Sequence, residues 1–378
     1  MGHRAVLAVA AALCVLSTTA CTTPSDELGD GTRLDAVLDE LVERADGPLG
    51  VVVTIDDGST TRVHTAGRAA SGSSDEPGAG HHMRIASLSK ALTGATALSL
   101  VDSGDLSLDD TIGDWLPDLP DAWHPVTLRQ LLGHTSGVPD FGASPEFGEA
   151  VGESLTAAPP PEEILAMAGT GTDFAPGERY EYSNSNPFVT ALIIEAATGQ
   201  QFADVLAERV LDPLEMDDTH LPARDDPELP DPTLRGYDVA LDGSVEDVTE
   251  AVSFGGWAWA SGGVVSTPEY LGRFVRGYLG GDLFGDVVAR AQRRFVDPGD
   301  SSPPGPGDNS AGLALFRYRT RCGTVYGHTG SILGYTQFMA ASADGTRSVT
   351  FSISTQASDD LVEELRKAQV LAVCEALR

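Results

Sequence analysis

The sequence predicts an α/β (α+β) fold in which one antiparallel sheet is assembled from both ends of the chain, flanked by helices, with a mostly helical region inserted between. Three observations carry this. Strand-like runs occur at residues 49–66 and again at 311–355. The stretch from about 87 to 295 has helical patterning broken by Pro and Gly. A helical stripe lies outside the strands at each end, placed to cover one sheet face.

The chain has 378 residues, enough for a sizeable core, and its 41% apolar content is ordinary for a globular protein. A net charge of −32 argues against nucleic acid or an anionic membrane surface as partner, because phosphates would be repelled. Residues 1–21 resemble a lipoprotein-type signal peptide. Arg4 gives a basic end, residues 5–16 are an apolar run too short for a permanent span, and "STTAC" leads into Cys21. A lipobox usually has Leu or Val where Thr18 stands, so cleavage after "TTA" with release is the alternative to lipidation at Cys21. Either way the mature protein is expected outside the cytoplasmic membrane, touching it only through the N-terminal anchor. Residues 22–31 read as a polar tether, and 32–378 as one domain.

Within that domain, "RLDAVLDELVERA" (33–45) spaces Leu34, Val37, Leu38, Leu41 and Val42 as a helix. "LGVVVTI" and "TTRVHTA" form a hairpin through "DDGS", followed by a Gly/Ser/Asp-rich loop over 67–82. The late strands are "AGLALFRYRT", "GTVYGH", "GYTQFMAAS" and "RSVTFSIST", with "ADGT" turning the last pair. "DPGDSSPPGPGD" (297–308) reads as a flexible surface loop. A closing helix, "DLVEELRKAQVLAVCEAL", aligns Leu361, Leu365, Val370 and Val373. With Cys14 and Cys21 assigned to the leader, Cys322 and Cys374 remain, and in an exported chain they are expected to form a disulfide. No Cys/His cluster completes a metal site, and no cofactor is expected; His81 and His82 read as loop residues.

The chemistry centres on "MRIASLSKALTG" (83–94). Only two of the 24 basic residues are lysines, Lys90 and Lys367, and lysine can lose its proton where arginine cannot. Residues three apart share a helical face, so Ser87 rather than Ser89 meets the Lys90 amine. A helix starting near Ser87 would also aim free N–H groups at an oxyanion. Two further stretches join it: "YSNSNPF" (182–188), with Tyr182 and Asn184, and "VYGHTGSILGY" (325–335), with His328, Thr329, Gly330 and Ser331. Glycines in the latter would let a substrate backbone lie against the strand.

In the order SxxK, YxN, HTG, the chain resembles the penicillin-recognising serine hydrolases, which include class C β-lactamases, esterases and D-alanyl-D-alanine carboxypeptidases. The resemblance runs from about residue 33 to the end, through stretches such as "TLRQLLGHTSGVPDF" and "ASGGVVSTPEYLGRF", and is nearest to the exocellular carboxypeptidases. It implies a β-lactamase/DD-peptidase-like fold and an acyl-enzyme on Ser87, with Lys90 and Tyr182 handling its proton. Asn184 would hold the substrate amide, and His328 and Thr329 would line the opposite wall. The N–H groups of Ser87 and Ser331 would form the oxyanion hole, and Trp257, with Phe147, an aromatic wall. Neutral Lys90 or a tyrosinate at Tyr182 serves as base. Class C β-lactamases have Lys at the position of His328, so His here favours the carboxypeptidase or esterase branches. One of Arg317, Arg319 and Arg321 would replace the missing charge, or all three lie on a solvated face. "GHTSG" (133–137) lacks nucleophile-elbow spacing and reads as a helix-ending structural loop. The expected activity is that of an exported D-alanyl-D-alanine carboxypeptidase, with a class C-like β-lactamase or carboxylesterase on the same machinery as the alternative. The expected substrate is a small peptide or β-lactam-like molecule, peptidoglycan among its candidate sources, and the expected state a monomer. A non-hydrolytic peptidoglycan- or β-lactam-binding lipoprotein is the alternative from another class.

Overall fold

A computed structural model describes residues 30–240, 244–301 and 303–378. The leader, Cys21 and the tether up to residue 29 lie outside the described residues. The tether as drawn from sequence is two residues too long, since helix α1 (Asp30–Glu43) begins at its end. Leu34, Leu38 and Leu41 recur at helical spacing and are fully buried, whereas Val37 and Val42 are half-buried at the edge of the stripe.

Seven strands form the main sheet: β1 (Gly50–Asp56), β2 (Thr61–Gly67), β7 (Asp308–Ala311), β8 (Phe316–Thr320), β9 (Gly323–Ile332), β10 (Tyr335–Ala341) and β11 (Ser348–Ile353). Their order is β2-β1-β11-β10-β9-β8-β7. All pairs are antiparallel, and β1 joins the C-terminal strands through a register running from Val51 opposite Ile353 to Asp56 opposite Ser348. Strand alternation sends Val51, Val53 and Ile55 to one face and Val52 to the other. The first face is covered by α1 and the closing helix, Asp359–Ala376; the second faces the helical region.

That region contains α2 (Ser89–Ser103), α3 (Leu128–Leu132), α4 (Ser185–Thr198) and α5 (Pro268–Gly280), which makes the closing helix α6. It also holds two short strand pairs that helical patterning hid: β3 (Met83–Arg84) with β6 (Val265–Ser266), and β4 (Tyr237–Val239) with β5 (Val245–Asp247). Strands this short carry too few residues for a period to show.

Three details differ from the sequence reading. The run 311–320 is two strands, because 312–315 leaves the sheet to bond the helical region. Leu313 N–H donates to Gln292 O (3.0 Å) and Ala314 N–H to Leu132 O (2.8 Å), with Ala314 at φ 49°. On α6, Val370 is only half-buried, and Ala368 and Ala372 take the core positions where α6 packs against α1. The 297–308 segment does not simply wave in solvent: Gly305 and Pro306 are buried. Cys322 and Cys374 form a disulfide (Cα–Cα 5.1 Å) tying the turn before β9 to α6.

Candidate active site

Ser87 sits in a single 3-10 turn, Ala86–Leu88, that leads into α2 rather than in α2 itself. Ala86 holds a left-handed backbone (φ 53°), a conformation costing a non-glycine residue on the order of 1 kcal/mol or more. Ser89, the other serine of this stretch, secures this turn. Its buried hydroxyl donates to Ala86 O (2.8 Å) and accepts from Val264 N–H (3.2 Å). The turn lies against β9 at Gly330, where a Cβ would come 2.9 Å from both Ser87 N and Ile85 O. The absent side chain thus also admits the Ser87 turn. The contact also puts the backbone of 329–331 next to Ser87 N, the neighbourhood an oxyanion hole requires.

Lys90 is 3% exposed. Its Nζ donates to Ser87 Oγ (3.0 Å) and to Ser261 O (2.8 Å), and lies 5.0 Å from the centre of the Tyr182 ring. Burial without a directly paired carboxylate lowers its pKa to about 7, with Asp140 offsetting part of the effect. Burial pushes the Tyr182 phenol well above its ordinary range, although its interaction with Ser87 opposes this. Both shifts favour the uncharged forms, a neutral amine and a protonated phenol.

Tyr182 is fixed from several sides. Its N–H donates to Ser301 Oγ (2.7 Å), so the 297–308 segment reaches the site and is corrected from a mere surface loop. His134 stacks on its ring, with centroids 4.6 Å apart and planes 16° from parallel. His134 belongs to the "GHTSG" stretch. Gly133 does end α3, as a structural loop would, but the imidazole next to it packs into the catalytic cluster. Asn184 is half-buried and donates from Nδ2 to Asp140 Oδ2 (3.1 Å). Asp140 carried no motif. Its proximity to Asn184 and to both proton-handling groups could be found only in three dimensions.

His328 is buried beneath the site, and its Nδ1 hydrogen-bonds Thr329 O (2.6 Å), which places the ring proton there. Burial lowers its pKa to about 3, the Thr329 carbonyl opposes that, and Lys90 adds to it, so the ring is neutral. Arg317 lies over the Phe295 ring (4.6 Å) and donates to Ser310 Oγ (3.1 Å), which occupies it away from Ser87. Trp257 does not line the opening at Ser87. It is buried with Nε1 donating to Ser154 O (3.1 Å), edge-on to Phe147 (5.6 Å).

Ser87 and Tyr182 open into a cavity of about 420 Å³ whose walls include Thr329, Gly330, Ser331, Gln337 and, on α6, Arg366. The β8 ladder on β9 ends at Gly327, so 328–332 are paired only by β10, and the other edge can take an extended substrate backbone. Among the described residues, no three or more His, Cys, Asp or Glu side chains gather as a metal site. The assembled groups are a hydroxyl, a desolvated amine, a phenol and a backbone N–H cradle. They are equipped for acyl transfer through Ser87.

Residues 34–373 match the Beta-lactamase family model. The chain belongs to the Beta-lactamase family. It is 31% identical to a D-aminopeptidase of Brucella anthropi over 187 residues, 50% of this chain and 35% of that protein. It is 33% identical to a penicillin-binding protein of Bacillus subtilis (strain 168) over 142 residues, 36% of this chain and 30% of that protein. The matches thus span about a third of these curated relatives. A D-stereospecific amidohydrolase from a Streptomyces species superposes with TM-score 0.77 at 27% identity, covering 89% of this chain and 98% of that one. A D-amino acid amidase from Ochrobactrum anthropi SV3, complexed with L-phenylalanine amide, gives 0.78 at 26%, covering 92% and 99%. The protein is a serine hydrolase of this Beta-lactamase family, and its sheet flanked by helices is the family's fold.

Proposed function

We propose that this hydrolase cleaves amide bonds next to D-residues that carry a free amino group, through an acyl-enzyme on Ser87. The observation that carries the acyl-enzyme is the Lys90 Nζ–Ser87 Oγ contact of 3.0 Å, made by an amine whose pKa is near 7. Lys90 takes the Ser87 proton as the hydroxyl attacks the carbonyl. The oxyanion forms against the N–H groups of Ser87 and Ser331. Tyr182 then passes its proton to the leaving nitrogen and recovers one from the Lys90 ammonium, and water cleaves the Ser87 ester, releasing the D-amino acid and returning the proton to the Ser87 hydroxyl. The amine preference is supported by charge: Asp140 stands beside Asn184, and His328 offers no cation to a substrate carboxylate. The names of the D-aminopeptidase and D-amino acid amidase relatives point the same way.

A D-alanyl-D-alanine-type carboxypeptidase is the second reading, favoured by Arg366, the one Lys or Arg among the described residues that line the Ser87 cavity. Turnover of D-alanine amide, its N-acetyl derivative, a peptide ending in D-Ala-D-Ala, and nitrocefin separates these. Cleavage of the free-amine amide well above the acetylated one is expected. Release of D-alanine from the peptide alone would replace the first reading with the second. Fluorescent-penicillin labelling of wild type, Ser87→Ala and Ser89→Ala tests the nucleophile: label should vanish only from Ser87→Ala. A wild type that binds these compounds but neither turns over nor acylates would make the chain a binder.

Export through the 1–21 leader and anchoring at Cys21 belong to the same proposal. The Cys322–Cys374 bridge supports it, since such bonds persist in oxidising compartments. Cys21→Ser should move the protein from the membrane to the soluble fraction. The chain is read as a monomer, and light scattering of the full chain should give a single-chain mass.

A further inference from the structure

We propose that His134 is the positioning residue for Tyr182: a neutral imidazole platform that holds the phenol ring where it can serve the leaving group. This rests on the amide-cleaving reading above, because an amine leaving group is what needs a proton.

The two residues come from different loops and are brought together by a specific network. His134 Nδ1 faces two donors, the Ser183 N–H (3.2 Å) and Asn186 Nδ2 (3.0 Å). A backbone N–H can only donate, so Nδ1 is an acceptor and the ring proton resides on Nε2. Asn186 is itself oriented, because its Oδ1 accepts from Ser136 Oγ (2.6 Å). In the other direction, the Glu181 N–H donates to His134 O (2.8 Å). These bonds bracket Tyr182 on both sides, fixing residues 181, 183 and 186 to 134 and 136. The near-parallel stacking then fixes the ring, and His134 pays for its place with a left-handed backbone (φ 51°).

The charge balance requires this ring to be neutral. The titratable groups in ring contact or charge interaction with it are Lys90 of α2, Tyr180 edge-on at 5.8 Å, Tyr182 and His328. An imidazolium would set an Nδ1–H against two donors and a second cation near Lys90. Burial, Lys90 and His328 all push the His134 pKa well below the ordinary histidine value. Lys90 and His134 share a void of only about 10 Å³, too little for the ring to swing aside.

The test is a double-mutant cycle with Tyr182→Phe. It uses the full chain and two substrates, a D-alanine p-nitroanilide, which leaves as an amine, and p-nitrophenyl acetate, which leaves as a phenolate needing no proton. His134→Ala should lower kcat on the anilide at least tenfold, with KM changed less than threefold and the ester rate changed less than threefold. His134→Phe keeps the platform and should retain more anilide activity than His134→Ala. In the Tyr182→Phe background, His134→Ala should cost less than threefold further. Equal losses in both backgrounds, or equal losses on both substrates, would overturn the assignment. His134→Gln, which keeps an acceptor for Ser183 N–H without a ring, enters the same cycle if the alanine variant fails to fold by circular dichroism. Failure of the amide reading shows in wild type, which would then leave the anilide untouched. Failure of the His134 assignment shows only in the variants.

Discussion

Replacing Lys90 by methionine separates what the buried amine does for catalysis from what it costs the fold. The lysine pKa falls from 10.5 to about 7 on folding. At about 1.4 kcal/mol per unit, ionisation linkage opposes folding by at most about 5 kcal/mol at pH 7 and below. The hydrogen bonds to Ser87 Oγ and Ser261 O return about 2 kcal/mol of this. Lys90→Met keeps the length and removes both terms, so the variant should be about 2–3 kcal/mol more stable at neutral pH. The sign with pH follows from proton counting. Between the folded and unfolded pKa values the unfolded chain binds the extra proton, so wild-type stability rises with pH over that window. The advantage of the methionine variant therefore shrinks above pH 7 and reverses near about pH 9, where only the lost hydrogen bonds remain. Urea unfolding of both proteins from pH 6 to 10 measures the crossing, alongside a complete loss of acylation in the variant. A methionine protein that is less stable at every pH, or a difference that does not change with pH, would mean that folded Lys90 is charged at neutrality and is not the base.

The same amine sets the rate profile: kcat/KM should rise with pH through a midpoint near 7 as Lys90 deprotonates, measured on the anilide under first-order conditions. Ser89→Ala should keep the nucleophile yet lower stability by roughly 1–3 kcal/mol, because Val264 N–H loses its buried acceptor and the strained Ala86 loses its clamp. Gly330→Ala drives a methyl to 2.9 Å from Ser87 N, and should slow acylation at least tenfold while costing about 1–3 kcal/mol in chemical denaturation. Removing the Cys322–Cys374 bridge as a double serine variant should cost about 2–5 kcal/mol, read from the denaturation midpoint, with acylation kinetics retained because the bridge lies away from Ser87.

By itself the sequence determined the main run of strands and helices, the pairing of chain ends in one sheet, and that Ser87 rather than Ser89 meets the Lys90 amine. Each depends on a local period: two along strands, 3.6 along helices, and three residues between a nucleophile and its amine. Distant motifs added Tyr182, Asn184 and the 328–331 strand, because the spacing of chemically distinctive residues survives without coordinates. Tertiary structure decided what those residues can do. The Lys90 pKa comes from desolvation by segments far apart in sequence, including the Ser261 turn, and no local pattern carries that sum. That Gly330 also makes room for the Ala86–Ser87 turn shows only once β9 is seen to press against it. Asp140, Ser301 and His134 carried no catalytic motif, and their roles arise only where loops meet around Tyr182 and Asn184. The break at 312–315 was hidden for the same reason. A run of strand-forming residues leaves the sheet there because its N–H groups find carbonyls at Gln292 and Leu132, and such long-range partners are visible only once the chain has folded.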